Sequence, residues 1–111
     1  MIKVTEEVLE QMVRAIVREV DPERIILFGS RAGGSEEADS DVDLLVVTHE
    51  NFDRNRTRRQ EILKMRRVLS SFRVPKDILV YSAQEMEKWK DSLNHIIAVA
   101  IREGKTLYER P

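Results

Sequence analysis

The chain has no cysteine, which excludes disulfides and thiolate metal sites and fits a reducing compartment. No stretch approaches the roughly 20 apolar residues needed to span a bilayer. The opening Met1-Ile2-Lys3-Val4-Thr5-Glu6-Glu7 carries acid where a signal peptide needs an apolar run. Excess charge of one sign is missing too: 19 Lys and Arg face 20 Asp and Glu, a formal net charge of -1. Bulk electrostatics therefore points to no nucleic-acid or membrane partner. The two histidines, His49 and His95, have no ligand partner at metal spacing and are expected in surface or packing roles. These absences lead to the expectation of a soluble, cytoplasmic protein.

What is present fits one domain spanning 1–111. Hydrophobic content is 41% and charged content 35%, less apolar and more charged than usual, but the apolar residues come in periodic runs and so predict a core. Val8, Leu9, Met12, Val13, Ile16, Val17 and Val20 recur at helical spacing over 5–20, and Asp21-Pro22 stops that helix. Arg24-Ile25-Ile26-Leu27-Phe28 reads as a buried strand. Residues 29–40, GSRAGGSEEADS, read as a loop. Asp43-Leu44-Leu45-Val46-Val47 is nearly all apolar and predicts a central strand covered on both faces. A long helix is expected over 52–72 with Ile62, Met65, Leu69 and Phe72 on its core face, ended by Val74-Pro75. Asp77-Ile78-Leu79-Val80-Tyr81 reads as a third strand, and Ser82-Ala83-Gln84-Glu85 as a capping box opening another helix. A last helix is expected to bury Leu93, Ile96, Ile97, Ala100 and Ile101, with Gly104 at its C-terminal cap. Leu107-Tyr108 is expected to add a short edge strand or a docked tail. The alternation predicts an α/β (α+β) layer structure around a small mixed sheet flanked by helices.

Three features carry chemistry. Gly29-Ser30 directly follows a strand, and glycine allows a sharp turn and close approach to a ligand. Free N–H groups there, with the Ser30 hydroxyl, suit phosphate, although Gly-Ser alone is a common turn. Asp41 and Asp43 stand two apart at the start of a strand, so alternation puts both carboxylates on one side. Like charges that close repel unless a cation separates them, and Mg²⁺ is the natural one. The plainer alternative is a loop cap followed by a strand start. The third feature is Asp77, whose segment Asp77-Ile78-Leu79-Val80 echoes Asp43-Leu44-Leu45-Val46. If those strands pair in register, Asp77 lands beside Asp41 and Asp43 and completes a cup of three carboxylates able to hold two metal ions.

Ile26-Leu27-Phe28-Gly29-Ser30-Arg31-Ala32, followed by Ser40-Asp41-Val42-Asp43-Leu44-Leu45-Val46, resembles the signature of the DNA polymerase β nucleotidyltransferase superfamily. Length and wording are similar to its minimal nucleotidyltransferases (MNT), MntA-like antitoxins usually paired with a HEPN-domain partner, and the likeness runs to Tyr108. The resemblance implies a polymerase β palm-like core that binds ATP as substrate with two Mg²⁺. Gly29, Ser30 and Arg31 would bind phosphate, with a salt bridge inside the loop an equal alternative for Arg31. Asp41, Asp43 and Asp77 would be catalytic and metal-ligating, Asp77 also helping to deprotonate the acceptor hydroxyl. The implied activity is transfer of AMP to a hydroxyl of the HEPN toxin. One departure is visible: Gly33-Gly34 stands where many relatives carry a second loop arginine. Larger relatives carry a domain that presents the acceptor, so here the acceptor is expected from a partner. Alternatives are neutralisation of the partner by binding alone, or nucleotidyl transfer to RNA or a small molecule; hetero- and homo-oligomers both stay open.

Arg54, Arg56, Arg58, Arg59, Lys64, Arg66 and Arg67 make 54–67 strongly basic. A solvated helix face is the plain reading. An acidic partner protein and RNA are the alternatives, RNA weakly, because only Phe52 offers stacking nearby. Trp89 and Tyr81 are expected to pack, or to anchor an interface if exposed.

Overall fold

The computed structural model describes residues 5–29 and 41–111. In order these form α1 (Glu6–Val20), β1 (Arg24–Phe28), β2 (Val42–Thr48), α2 (Arg58–Val68), β3 (Lys76–Ser82), α3 (Ala83–Trp89), α4 (Ile96–Glu103) and β4 (Lys105–Glu109). The strands make one mixed sheet in the order β3-β2-β1-β4. β1 is antiparallel to both β2 and β4, while β2 and β3 run parallel. The expected α/β layer architecture is present, and Leu107-Tyr108 lies in an edge strand.

α1 starts where Thr5 accepts a hydrogen bond from the Val8 amide at 3.2 Å, with Glu6 and Glu7 favourably placed at the positive end of the helix dipole. It stops at Asp21, which is left-handed with φ 45°, before Pro22. Its apolar side buries Met12 and Ile16 completely. Each such side chain contributes about 1.5–3 kcal/mol by leaving water.

Side-chain alternation divides the sheet between two cores. Val42, Leu44 and Val46 of β2 meet Met12 and Ile16 of α1 and Met65 of α2 on one face. Leu45 and Val47 meet Met86 of α3, Ile97 and Ala100 of α4, and Ile26 of β1 on the other. β2 is thus the central, doubly covered strand expected from its composition.

Three expectations need correction. The helix predicted over 52–72 begins only at Arg58, because the Asp53 carboxylate accepts from the amides of Asn55 and Arg56, both at 2.8 Å, and folds 53–56 into a turn. Thr57 and Gln60 then form a reciprocal capping box. Leu93, predicted in the core of the last helix, is 80% exposed. α4 starts after it, at Ile96, where the His95 imidazole Nδ1 accepts from the Ile97 amide at 3.1 Å. Ile101 is also 38% exposed. Gly104 does cap α4, but in extended geometry with φ -84° rather than the left-handed turn usual for glycine there. Glycine is needed for space: a Cβ would stand 2.3 Å from the Ala100 carbonyl oxygen and 2.6 Å from Ile26 Cγ2.

Candidate active site

β1 ends at the same edge of the sheet where β2 and β3 begin. The register makes Asp43 the Cα partner of Asp77 on one side and of Phe28 on the other, so one row across the sheet reads Asp77, Asp43, Phe28. Alternation places all three on the α3/α4 face: Asp43 in step with Leu45 and Val47, Asp77 with Leu79 and Tyr81, Phe28 with Ile26. The amide of Val42 donates to the Pro75 carbonyl at 2.9 Å and ties the two strand starts together.

Gly29 follows Phe28 in the left-handed region, with φ +77°, which glycine reaches at little cost. A Cβ on it would stand 2.2 Å from Asp43 Oδ2 and 3.1 Å from Asp43 Cγ. What comes close to the bare Cα of Gly29 is the Asp43 carboxylate. Ser30, Arg31 and the Gly33-Gly34 pair lie outside the described residues.

Asp43 is half-buried while Asp41 and Asp77 are exposed. Burial first, then the charge of Asp77, then that of Asp41, hold the Asp43 carboxyl above its ordinary value of 3.8. All three effects penalise the ionised form, and a bound cation would reverse the two charge effects. Hard carboxylate oxygens on a rigid strand suit Mg²⁺, which is typically held by one or two carboxylates plus substrate phosphates. Among the described residues no three His, Cys, Asp or Glu side chains stand together closely enough to hold a metal ion. The strands therefore bring Asp43 and Asp77 side by side without closing the expected three-carboxylate cup.

In the sequence Phe28 figures only as the end of a strand and as part of the Ile26–Ala32 signature, with no role of its own. The signal that identifies it is parity: counting by twos from buried Ile26 puts it on the carboxylate face, half-buried beside Asp43. His95 takes a packing role, stacked on Trp89 with ring centroids 4.5 Å apart and edge-on to Tyr81 at 5.9 Å. His49 is exposed, 3.7 Å from Glu23.

The family model described as "Nucleotidyltransferase domain" matches residues 9–104, so the chain belongs to that family. Comparison with curated proteins gives no match. Among solved structures, one similar chain is a protein from Sulfolobus solfataricus assigned as a nucleotidyltransferase, with TM-score 0.59 and 21% identity over 94% of this chain and 79% of that one. A toxin–antitoxin complex with AMP-PNP gives 0.57 and 20%, covering 91% of this chain and 73% of that one. A third is the tri-AMPylated Shewanella oneidensis HEPN toxin in complex with MNT antitoxin, at 0.53 and 16%, covering 96% and 74%. At these identities the likeness is one of fold. No helix of the described residues is long and apolar enough to cross a membrane.

Proposed function

We propose that this protein is a Mg²⁺-dependent nucleotidyltransferase that transfers AMP from ATP to a hydroxyl of a HEPN-type partner, acting as its antitoxin in the cytoplasm. The observation that carries this reading is the row Asp77, Asp43 beside left-handed Gly29, at the end of a sheet belonging to a nucleotidyltransferase domain. The fold shared with an AMP-PNP complex and with an antitoxin bound to a tri-AMPylated HEPN toxin supports the choice of nucleotide and acceptor.

Gly29, Ser30 and Arg31 hold the triphosphate. Asp43 and Asp77, with Asp41 at the start of β2, would hold Mg²⁺, which would supply charge neutralisation at the phosphates and the attacking oxygen. Asp77, exposed on the edge strand β3, would take the acceptor proton. The acceptor oxygen then forms its bond to the α-phosphorus, the bond to the bridging α–β oxygen breaks, and pyrophosphate leaves. Position and charge neutralisation are most of what such a transfer asks of a protein.

The test incubates the protein with ATP labelled at the α-phosphate, Mg²⁺ and the HEPN-type protein encoded beside it. Label should move to the partner and be lost in Asp41→Ala/Asp43→Ala. No transfer, or transfer that survives the double substitution, would sink the reading. Partner inhibition unchanged in the double variant would instead show neutralisation by binding alone.

A further inference from the structure

The outward side of α2 carries Arg59, Leu63, Arg66 and Arg67, all exposed. Steps of four, seven and eight residues return to one side of a helix, here the side turned away from buried Met65. Leu63, in the middle of this strip, is 51% exposed. Three other cations of the segment are matched within the fold. Arg56 Nε lies 2.9 Å from Glu61 and Lys64 Nζ 3.9 Å from the same carboxylate, while Arg58 pairs with Glu85. Among the described residues Arg59, Arg66 and Arg67 enter no ion pair. Beside the strip an open groove of about 690 Å³ separates α2 from the end of α1, lined by Glu19 and Val20 of α1 and by Glu61, Leu63, Lys64 and Arg67 of α2; Glu61 is already matched by Arg56 and Lys64.

A solvated helix face has no need of a large apolar side chain at its centre or of a groove alongside. Protein interfaces combine these features: an apolar centre, a polar rim and an enrichment in arginine. We infer that the Arg59–Arg67 side of α2 is a docking surface for an acidic segment of a partner protein. An apolar side chain of that segment seats against Leu63, and its carboxylates meet Arg59, Arg66 and Arg67. Charge complementarity selects the occupant. RNA would satisfy the charge, but single strands are held largely by stacking on aromatic rings, and the strip has none. Phe52, ahead of the helix, has the guanidinium groups of Arg56 and Arg58 over its ring at 5.1 and 5.0 Å. The inference concerns binding alone and does not depend on nucleotidyl transfer.

Fluorescence anisotropy with two labelled probes tests it: an amphipathic helical peptide with glutamates flanking a leucine, and an unstructured oligoribonucleotide. The peptide should bind the wild-type chain, more weakly as salt is raised. Arg59→Glu/Arg66→Glu/Arg67→Glu should lose at least about tenfold in affinity, and Leu63→Ser severalfold. Arg14→Glu/Arg18→Glu on α1 should bind as wild type does, with circular dichroism confirming that each variant is folded. Failure of the peptide to bind, binding that survives both the triple reversal and Leu63→Ser, or preferential binding of the oligoribonucleotide would each overturn the inference.

Discussion

Gly29→Ala should damage both the fold and the candidate site, and the geometry says by how much. An L-residue held at φ +77° costs about 1–2 kcal/mol relative to glycine. The new Cβ would also stand 2.2 Å from Asp43 Oδ2, well inside the ordinary contact distance of about 3.5 Å. That oxygen ends a rotatable, half-buried side chain, so the carboxylate turns aside and the backbone stays, at about 0.5–1.5 kcal/mol off its rotamer. The sum is roughly 1.5–3.5 kcal/mol, which centres on about 10 °C in Tm for a domain of this size. Mg²⁺ accepts ligands only near 2.0–2.1 Å, so turning Asp43 aside should weaken Mg·ATP binding at least about tenfold. Gly104→Ala is the control. Its φ of -84° suits alanine, but the Cβ would meet two backbone oxygens, Ala100 at 2.3 Å and Leu27 at 2.9 Å, which cannot rotate away. That overpacking should cost about 1–3 kcal/mol or more while leaving Mg·ATP binding by the folded protein intact. Urea melts and calorimetric titration with Mg·ATP separate the two. Wild-type affinity in Gly29→Ala, or an equal loss in Gly104→Ala, would refute the idea that Gly29 makes room for the Asp43 carboxylate.

Asp43 and Glu85 should shape stability with pH in opposite directions. The Asp43 carboxyl is raised above 3.8 by burial, Asp77 and Asp41, so the folded state binds the proton more tightly and this contribution to stability falls as pH rises from 3.8 through the raised value. Asp43→Asn should therefore raise the urea midpoint at neutral pH without Mg²⁺, and the gain should vanish in acid. Burial raises Glu85, but its bonds with the Ser82 amide and hydroxyl and with Arg58 outweigh this and leave it below 4.5. Its contribution is present above 4.5 and lost as pH falls through the lowered value, so Glu85→Gln should flatten that part of the acid limb. Arg56→Met should cost about 2 kcal/mol by removing the cation 2.9 Å from Glu61, which is only 6% exposed. That is below the usual range for a buried pair because Lys64 remains nearby; a double-mutant cycle with Glu61→Gln should show coupling, and simple additivity would refute it. Thr57→Ala should lower stability by about 1 kcal/mol through the lost capping box of α2, measured by urea midpoint.

Much of this was legible because each signal was local and periodic. Seven apolar positions on α1 announce its buried side, and the echo of Asp43-Leu44-Leu45-Val46 in Asp77-Ile78-Leu79-Val80 anticipates a register that pairs Asp43 with Asp77. What stayed hidden depends on contacts between distant segments. Glu61 reads as one more surface charge on a helix, yet it is buried because Arg56, five residues earlier, folds back on it and also donates to the Glu50 carbonyl at 3.0 Å. Leu93 fits the period of the last helix by spacing, but the cap at His95 starts the helix beyond it. No pattern in the residues around Gly29 says that the Asp43 side chain fills the space of a missing Cβ.

The position of the carboxylates has a physical logic of its own. A parallel pair with aspartates opposite each other is a poor choice for stability, since like charges face across a few ångström. The row is tolerated because the rows beneath it, Ile78–Leu44–Leu27 and Leu79–Leu45–Ile26, are largely apolar and packed from both faces. Favourable burial below holds the strands in a register that the charges alone would oppose. Local unfavourable charge maintained by surrounding structure is a usual mark of a functional site. It follows that a cation should stabilise the wild-type fold and do less for Asp43→Asn. A thermal shift with Mg²⁺ equal in the two proteins would remove the reason for thinking that the sheet sets this pair side by side for a cation.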